Sequence, residues 1–288
     1  MTIEAMDPTL DTAYETCRRM HRRHDPTYYW ATRRLPADVR PATHALYGYV
    51  RTADQLVDGP RRPATPGARR AALDAWEAEL RAGLHHGASP HPVIGALVHA
   101  ARRHELPLDE LGPYMRSMRT DCEPVRIASW DELCGYMDGS AGSVGRIMAP
   151  LLGVHARHHA DYGRLGLAFQ HANFVRDVRE DWRLDRIYLP REDRERFGVA
   201  EEDFGRERAT PELRGLIAHE VARARRLFAA AAPAVAAAPA AVRPGVRLAC
   251  AVYESVLDRV EAAGYDVLGR RTGVRLWRLP LLAWGALR

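Results

Sequence analysis

The chain has 288 residues, 47% of them hydrophobic, enough to bury a substantial core in one large domain or two ordinary ones. Its net charge is +5, but all 42 basic residues are arginine and they are interspersed with 37 acids, which argues against a nucleic-acid footprint. Four scattered cysteines, Cys17, Cys122, Cys134 and Cys250, form no CxxC, so reduced, packed thiols in a cytoplasmic protein are expected rather than a disulfide frame or a zinc site.

The N-terminal stretch MTIEAMDPTLDTAYETC carries acids where a secretory signal needs bases, and it lacks an apolar core segment. Beyond it helical periodicity dominates, and the alternating β-branched runs of strands do not occur. The spacing predicts helices over 8–22, 38–57, 67–83, 91–104, 109–119, 130–152, 157–182, 210–231 and 240–263. Turns are expected at DGPRRPATPG (58–67), at HHGASPHP (85–92) and at RLDRIYLPRED after residue 182. The alanine-rich run between residues 227 and 242 is cut by Pro233 and Pro239, which makes it a helix break and too short to span a bilayer. No linker divides the chain. The expectation is one all-α domain over residues 1–288.

Two helices carry an unusual polar pattern. YGYVRTADQLVDG places Asp54 and Asp58 four residues apart, and NFVRDVREDW does the same with Asp177 and Asp181. On a helix these pairs share a face, where like charges repel by a few tenths of a kcal/mol. Both helices are apolar enough to be core elements, so inward-facing carboxylates need compensation. A divalent cation supplies it, and hard oxygen ligands select Mg2+, which completes its shell with water and phosphate oxygens. Asn173 and Gln170 extend the second polar stripe, and Arg51 and Arg176 stand just before the two pairs, placed to bind phosphate oxygens. A single DxxxD is ordinary helix surface; two of them, each flanked by arginine in apolar helices, describe a site for a metal-bridged diphosphate.

HALYGYVRTADQLVDGP and LGLAFQHANFVRDVREDWRLDRIYLP resemble the two aspartate segments of the phytoene and squalene synthases, including the R-x-YLP tail, and the resemblance runs from about Tyr28 to Arg270. It implies the isoprenoid synthase fold, a helical bundle holding Mg2+ and diphosphate between two Asp-rich helices above an apolar cavity. It implies that Asp54, Asp58, Asp177 and Asp181, with Asn173, hold metal, and that Arg51, Gln170 and Arg176 contact diphosphate. It further implies that Tyr47, Tyr136 and Tyr253 line the reacting end of the pocket. His24 and Thr27 match an N-terminal loop that touches diphosphate, and Arg270 matches a C-terminal basic residue with the same task.

The implied chemistry is ionisation of an allylic prenyl diphosphate, from dimethylallyl to geranylgeranyl, in a dry pocket where tyrosine faces stabilise a cation. The sequence departs from the family in three places. Gln55 replaces the second of two adjacent acids, HDP puts Asp25 and Pro26 in the diphosphate loop, and His171 and Ala172 follow Gln170. With Tyr28, Tyr29, Trp30 and Tyr49 near the mouth, these departures favour a small aromatic, carbazole-type acceptor, with His171 and Gln55 marking its specificity. The alternatives are a second prenyl diphosphate joined head to head, a cyclase or hydrolase using the same ionisation, and a non-catalytic helical scaffold. The glycines of GSAGSVG (Gly139, Gly142, Gly145) leave room for a prenyl chain or for a close helix. HARHH (155–159) is expected in a turn rather than around a metal, no Rossmann or Walker motif provides a nucleotide site, and the basic, apolar C-terminus allows at most peripheral membrane contact.

Overall fold

A computed structural model describes residues 8–269, apart from the side chains of Pro8 and Thr27. The elements run α1 (Pro8–His24), α2 (Pro26–Thr32), α3 (Arg40–Asp58), α4 (Pro66–His86), α5 (Pro92–His104), α6 (Leu111–Thr120), β1 (Val125–Arg126), α7 (Trp130–Met137), α8 (Ser143–Leu151), α9 (His159–Arg176), α10 (Val178–Arg183), β2 (Arg186–Ile187), α11 (Arg191–Phe197), α12 (Pro211–Ala230), α13 (Ala232–Ala237) and α14 (Arg243–Ala262). Punctuation in the sequence sets many of the boundaries. Thr65 caps α4 by accepting from Ala68 N, with Pro66 at the first helical position, and Gly87 ends it at φ 81°. Thr210 and Pro211 open α12 in the same way.

The packing follows from apolar stripes. On α3, Ala42, Ala45, Leu46, Tyr49, Ala53 and Val57 are buried at helical spacing and meet α1 and α5. Helix α9 is more central, packing on α8, α12 and α14, so its apolar residues lie on several faces rather than on one stripe. Its approach to α8 and to the turn just before α8 depends on missing side chains: a Cβ on Gly145 would collide with the Tyr162 carbonyl, and one on Gly166 with the Ala141 carbonyl. Close packing is thus one use of the glycine run, and Gly145 and Gly166 also face the cavity described below.

The all-α expectation holds, with local corrections. The segment expected as one helix over 130–152 is interrupted by a π-helical turn, Asp138–Gly142, between α7 and α8. The helix expected over 157–182 breaks at Asp177 (φ −98°, ψ 16°), the joint between α9 and α10, although Asp181 N still donates to Asp177 O at 2.8 Å. Helices α2 and α11, seven residues each, and the parallel pair β1–β2 were not expected. That pair sits in the turn after the second aspartate motif and ties it to the loop after α6. The alanine-rich break holds the short α13.

Candidate active site

A cavity of about 270 Å3 lies between α2, α3, the π turn, α8, α9 and α14. Leu46, Val144, Met148, Leu165, Phe169 and Val246 give it an apolar wall. Its lining also holds a group of interacting polar side chains, Asp25, Tyr47, Asn173 and Tyr253, with Gln170 about one turn before Asn173 on α9. Tyr253 meets the Asn173 amide, and burial pushes its phenol up to about 12. The Asn173 Oδ1 atom is buried and has no hydrogen-bond partner.

The aspartates continue these helix faces beyond the cavity wall. Val50 lines the cavity on α3, Asp54 follows one turn later and Asp58 one turn after that; Asn173 precedes Asp177 by the same interval. Asp54 accepts from the Tyr114 hydroxyl at 2.7 Å, and burial raises its carboxyl to about 6. Asp58 is held by both terminal nitrogens of Arg186, at 2.9 and 2.5 Å. Asp177 accepts two hydrogen bonds from Arg176, at 2.6 and 2.5 Å. Burial raises Asp181 well above the carboxylate range, and the charges of Asp177, Asp121 and Asp58 raise it further while Arg186 opposes them. The two motifs, more than a hundred residues apart in sequence, therefore meet in one electrostatic field, with Arg186 between them.

Arg186 also donates to the Asp121 backbone carbonyl at 2.6 Å. The buried Asp121 carboxylate accepts from Tyr136 at 2.5 Å and from Tyr188 at 2.8 Å, and burial lifts it to about 6. Sequence reasoning missed Asp121, Tyr114 and Tyr188, and it quoted Arg186 without assigning it a role. The R-x-Y spacing that carries Arg186 and Tyr188 was a usable signal, whereas Asp121 and Tyr114 stand in no pattern.

Tyr47, Gln170, Asn173 and Tyr253 line the cavity, and Arg176 lines a smaller adjoining chamber of about 80 Å3. Tyr136 does not line it: its ring packs on Phe174 and Tyr188 while its hydroxyl is bound to Asp121. His24 is exposed, with Nδ1 3.5 Å from Arg51 Nη2, and Arg51 Nη1 lies 4.0 Å from Asp54. The Thr27 side chain and Arg270 lie outside the described residues. The specificity assigned to His171 is corrected. Its ring is fully buried on the face of α9 turned from the cavity, 3.0 Å from Glu220 on α12 and edge-on to Trp130. Gln55 does not line the cavity either.

Among the described residues, Asp193, His219 and Glu220 bring ligand atoms within 4.8 Å of one another. Arg223 already bridges Asp193 and Glu220, at 2.7 and 2.8 Å, and stacks 4.3 Å from the Trp130 ring, so this is a compensated ion-pair network, and none of the three residues lines the cavity.

The family model for squalene/phytoene synthase matches residues 21–278. The chain belongs to the squalene/phytoene synthase family. It is 32% identical over 280 residues to a phytoene synthase of Thermus thermophilus, covering 96% of this chain and 93% of the relative. It is 31% identical over 283 residues to a 15-cis-phytoene synthase of Synechococcus elongatus, covering 94% and 91%. Among solved structures it resembles a dehydrosqualene synthase (TM-score 0.88, 24% identity, 96% of each chain). It also resembles a squalene synthase of Alicyclobacillus acidocaldarius (TM-score 0.80, 29% identity, 91% and 97%). Squalene/phytoene synthases are prenyltransferases that release diphosphate, and this chain has their all-α isoprenoid synthase fold.

Proposed function

We propose that the chain, acting as one domain, joins two prenyl diphosphates head to head, a reading supported by its similarity to proteins named phytoene synthase. The observation that carries this reading is an apolar-walled cavity whose lining helices α3 and α9 carry on into the two aspartate pairs, with Arg186 between the two motifs. Two prenyl tails need apolar volume; their diphosphates need cations and donors. The departures that favoured an aromatic acceptor lose weight, since His171 turns away from the cavity and Gln55 lies outside its wall.

The residues fit a hard divalent cation. Asn173 Oδ1 is a buried acceptor without a donor, and Asp54 and Asp181 are desolvated carboxyls raised by burial that an added positive charge would ionise. Asp54 and Asp58 on one helix, with Asn173, Asp177 and Asp181 on the other side, would hold Mg2+, which supplies charge neutralisation to the departing diphosphate. Arg51 and Arg176 bind phosphate oxygens, and Gln170 orients the same end. As the C–O bond breaks, its electron pair leaves with diphosphate, and the faces of Tyr47 and Tyr253 stabilise the allylic cation without offering a strong nucleophile. The apolar wall keeps water from quenching it. Among the described residues no helix is long and apolar enough to cross a membrane.

The test is product analysis by mass spectrometry. Purified protein with Mg2+ and dimethylallyl, geranyl, farnesyl or geranylgeranyl diphosphate is run alone and with a panel of aromatic acceptors. A long hydrocarbon from one donor alone is expected; prenylated aromatics with no such hydrocarbon would overturn the reading in favour of the aromatic acceptor.

A further inference from the structure

Joining two allylic chains carbon to carbon requires a base as well as a leaving group. Ionisation sends the C–O electron pair away with diphosphate. The resulting cation takes an alkene π pair to form the new C–C bond, which moves the positive charge one carbon along. The joined chain loses its positive charge when an adjacent C–H bond breaks, its electron pair becomes part of a new carbon–carbon bond, and the proton passes to an acceptor. The chain still carries the second diphosphate, which leaves with its own C–O electron pair in a later step before a hydrocarbon forms.

Among the described residues that line the cavity, one is a carboxylate and none is a histidine, lysine or cysteine. The remaining polar groups there are amides, aliphatic hydroxyls and phenols. The phenols are held protonated: burial pushes Tyr253 and Tyr162 up to about 12, and Tyr28 and Tyr47 higher. None of these groups accepts a proton readily near neutrality.

We propose that the carboxylate, Asp25, is the acceptor of the proton lost when the joined chain is neutralised. The inference rests on the head-to-head reading and adds a catalytic residue to it. Asp25 is the N-cap of α2, and its Oδ1 accepts from Tyr28 N at 2.8 Å, which fixes the carboxylate rather than leaving it to swing in solvent. It lines both the main cavity and the smaller chamber that Arg176 also lines. Its negative field reaches Tyr28, Tyr47 and Tyr253, which places it among the rings where the cation is stabilised. The acid that looked out of place in a diphosphate-binding loop thereby acquires a use. The accepted proton leaves as the product departs, which restores the carboxylate.

The experiment compares Asp25→Asn and Asp25→Ser with wild type. Both substituted side chains accept the same capping hydrogen bond, so α2 and the helical content are retained. Released diphosphate and hydrocarbon are measured in the same reactions with Mg2+ and farnesyl or geranylgeranyl diphosphate. Loss of a general base predicts hydrocarbon formation about 10²–10⁴-fold slower, with diphosphate release falling less and prenyl alcohols making up the difference. Hydrocarbon formation within about threefold of wild type in both variants would reduce Asp25 to a helix cap and overturn the proposal. Diphosphate release falling in step with hydrocarbon would place Asp25 in ionisation and also overturn it. A wild-type protein that makes no hydrocarbon from any donor alone would overturn the function on which the proposal rests, and that result is separate from the behaviour of the variants.

Discussion

Asp54 and Asp58 are held by neighbours from distant parts of the chain, Tyr114 for one and Arg186 for the other. Such partners orient a carboxylate without satisfying all its lone pairs, which is the state a cation-binding group needs before its ion arrives. Asp54→Asn or Asp177→Asn is therefore expected to abolish turnover while circular dichroism shows unchanged helical content; either variant keeping most of its rate in Mg2+ would contradict the assignment. Glu220 is of another kind, fully buried between His171 and Arg223 and absent from the cavity wall. Glu220→Ala should cost about 3 kcal/mol in denaturant unfolding, because it strands buried partners, and leave product identity unchanged. The aspartate pairs were legible in the sequence because their i, i+4 spacing conflicts with helix stability and so demands an explanation. Asp121 was not, since a lone acid in TDCEP carries no periodic signal and its partners Tyr136, Arg186 and Tyr188 are set by tertiary structure. His171 was misread because the sequence does not say which face of a helix buried on several sides meets the cavity.

At the scale of elements, apolar periodicity made the long helices visible, and it failed where an element was too short to show a period. Seven residues, as in α2 and α11, contain less than two full turns, and a two-residue parallel pair contains no alternation. The π turn at Asp138–Gly142 and the joint at Asp177 were missed for a different reason: both preserve the apolar pattern on either side while changing the backbone between. The close crossing of α8 and α9 makes a direct prediction. Gly145→Ala places a methyl group against the Tyr162 carbonyl, backbone that has little freedom to yield. Thermal unfolding should register a loss of about 1–3 kcal/mol, the usual cost of overpacking. A variant as stable as wild type would show that α8 and α9 move apart readily.

For the whole molecule, buried titratable groups give stability two opposite pH dependences. Burial lowers His21 to about 3 and His44 to about 4, against 6.5 for exposed histidine, while their Nδ1 atoms lie 2.9 Å apart. Their folded values are depressed, so their contribution is complete above pH 6.5 and is lost as pH falls through 4 toward 3. Asp54 and Asp121 are raised to about 6, so their contribution is present below the ordinary carboxyl value of 3.8 and is lost as pH rises through 6. A bound cation reverses the second effect by favouring the ionised carboxylates. Mg2+ is thus expected to raise the unfolding temperature more at about pH 7.5 than at about pH 5.5, measured by differential scanning calorimetry. The central claim is that the aspartates of α3 and of the α9–α10 joint form one Mg2+–diphosphate site beyond the cavity wall. Isothermal titration of inorganic diphosphate into wild type and into Asp177→Asn, with Mg2+ and with EDTA, tests it most directly. Binding that requires Mg2+ and is lost in the variant is the predicted result; diphosphate binding that is equal in EDTA, or indifferent to the substitution, would contradict the account.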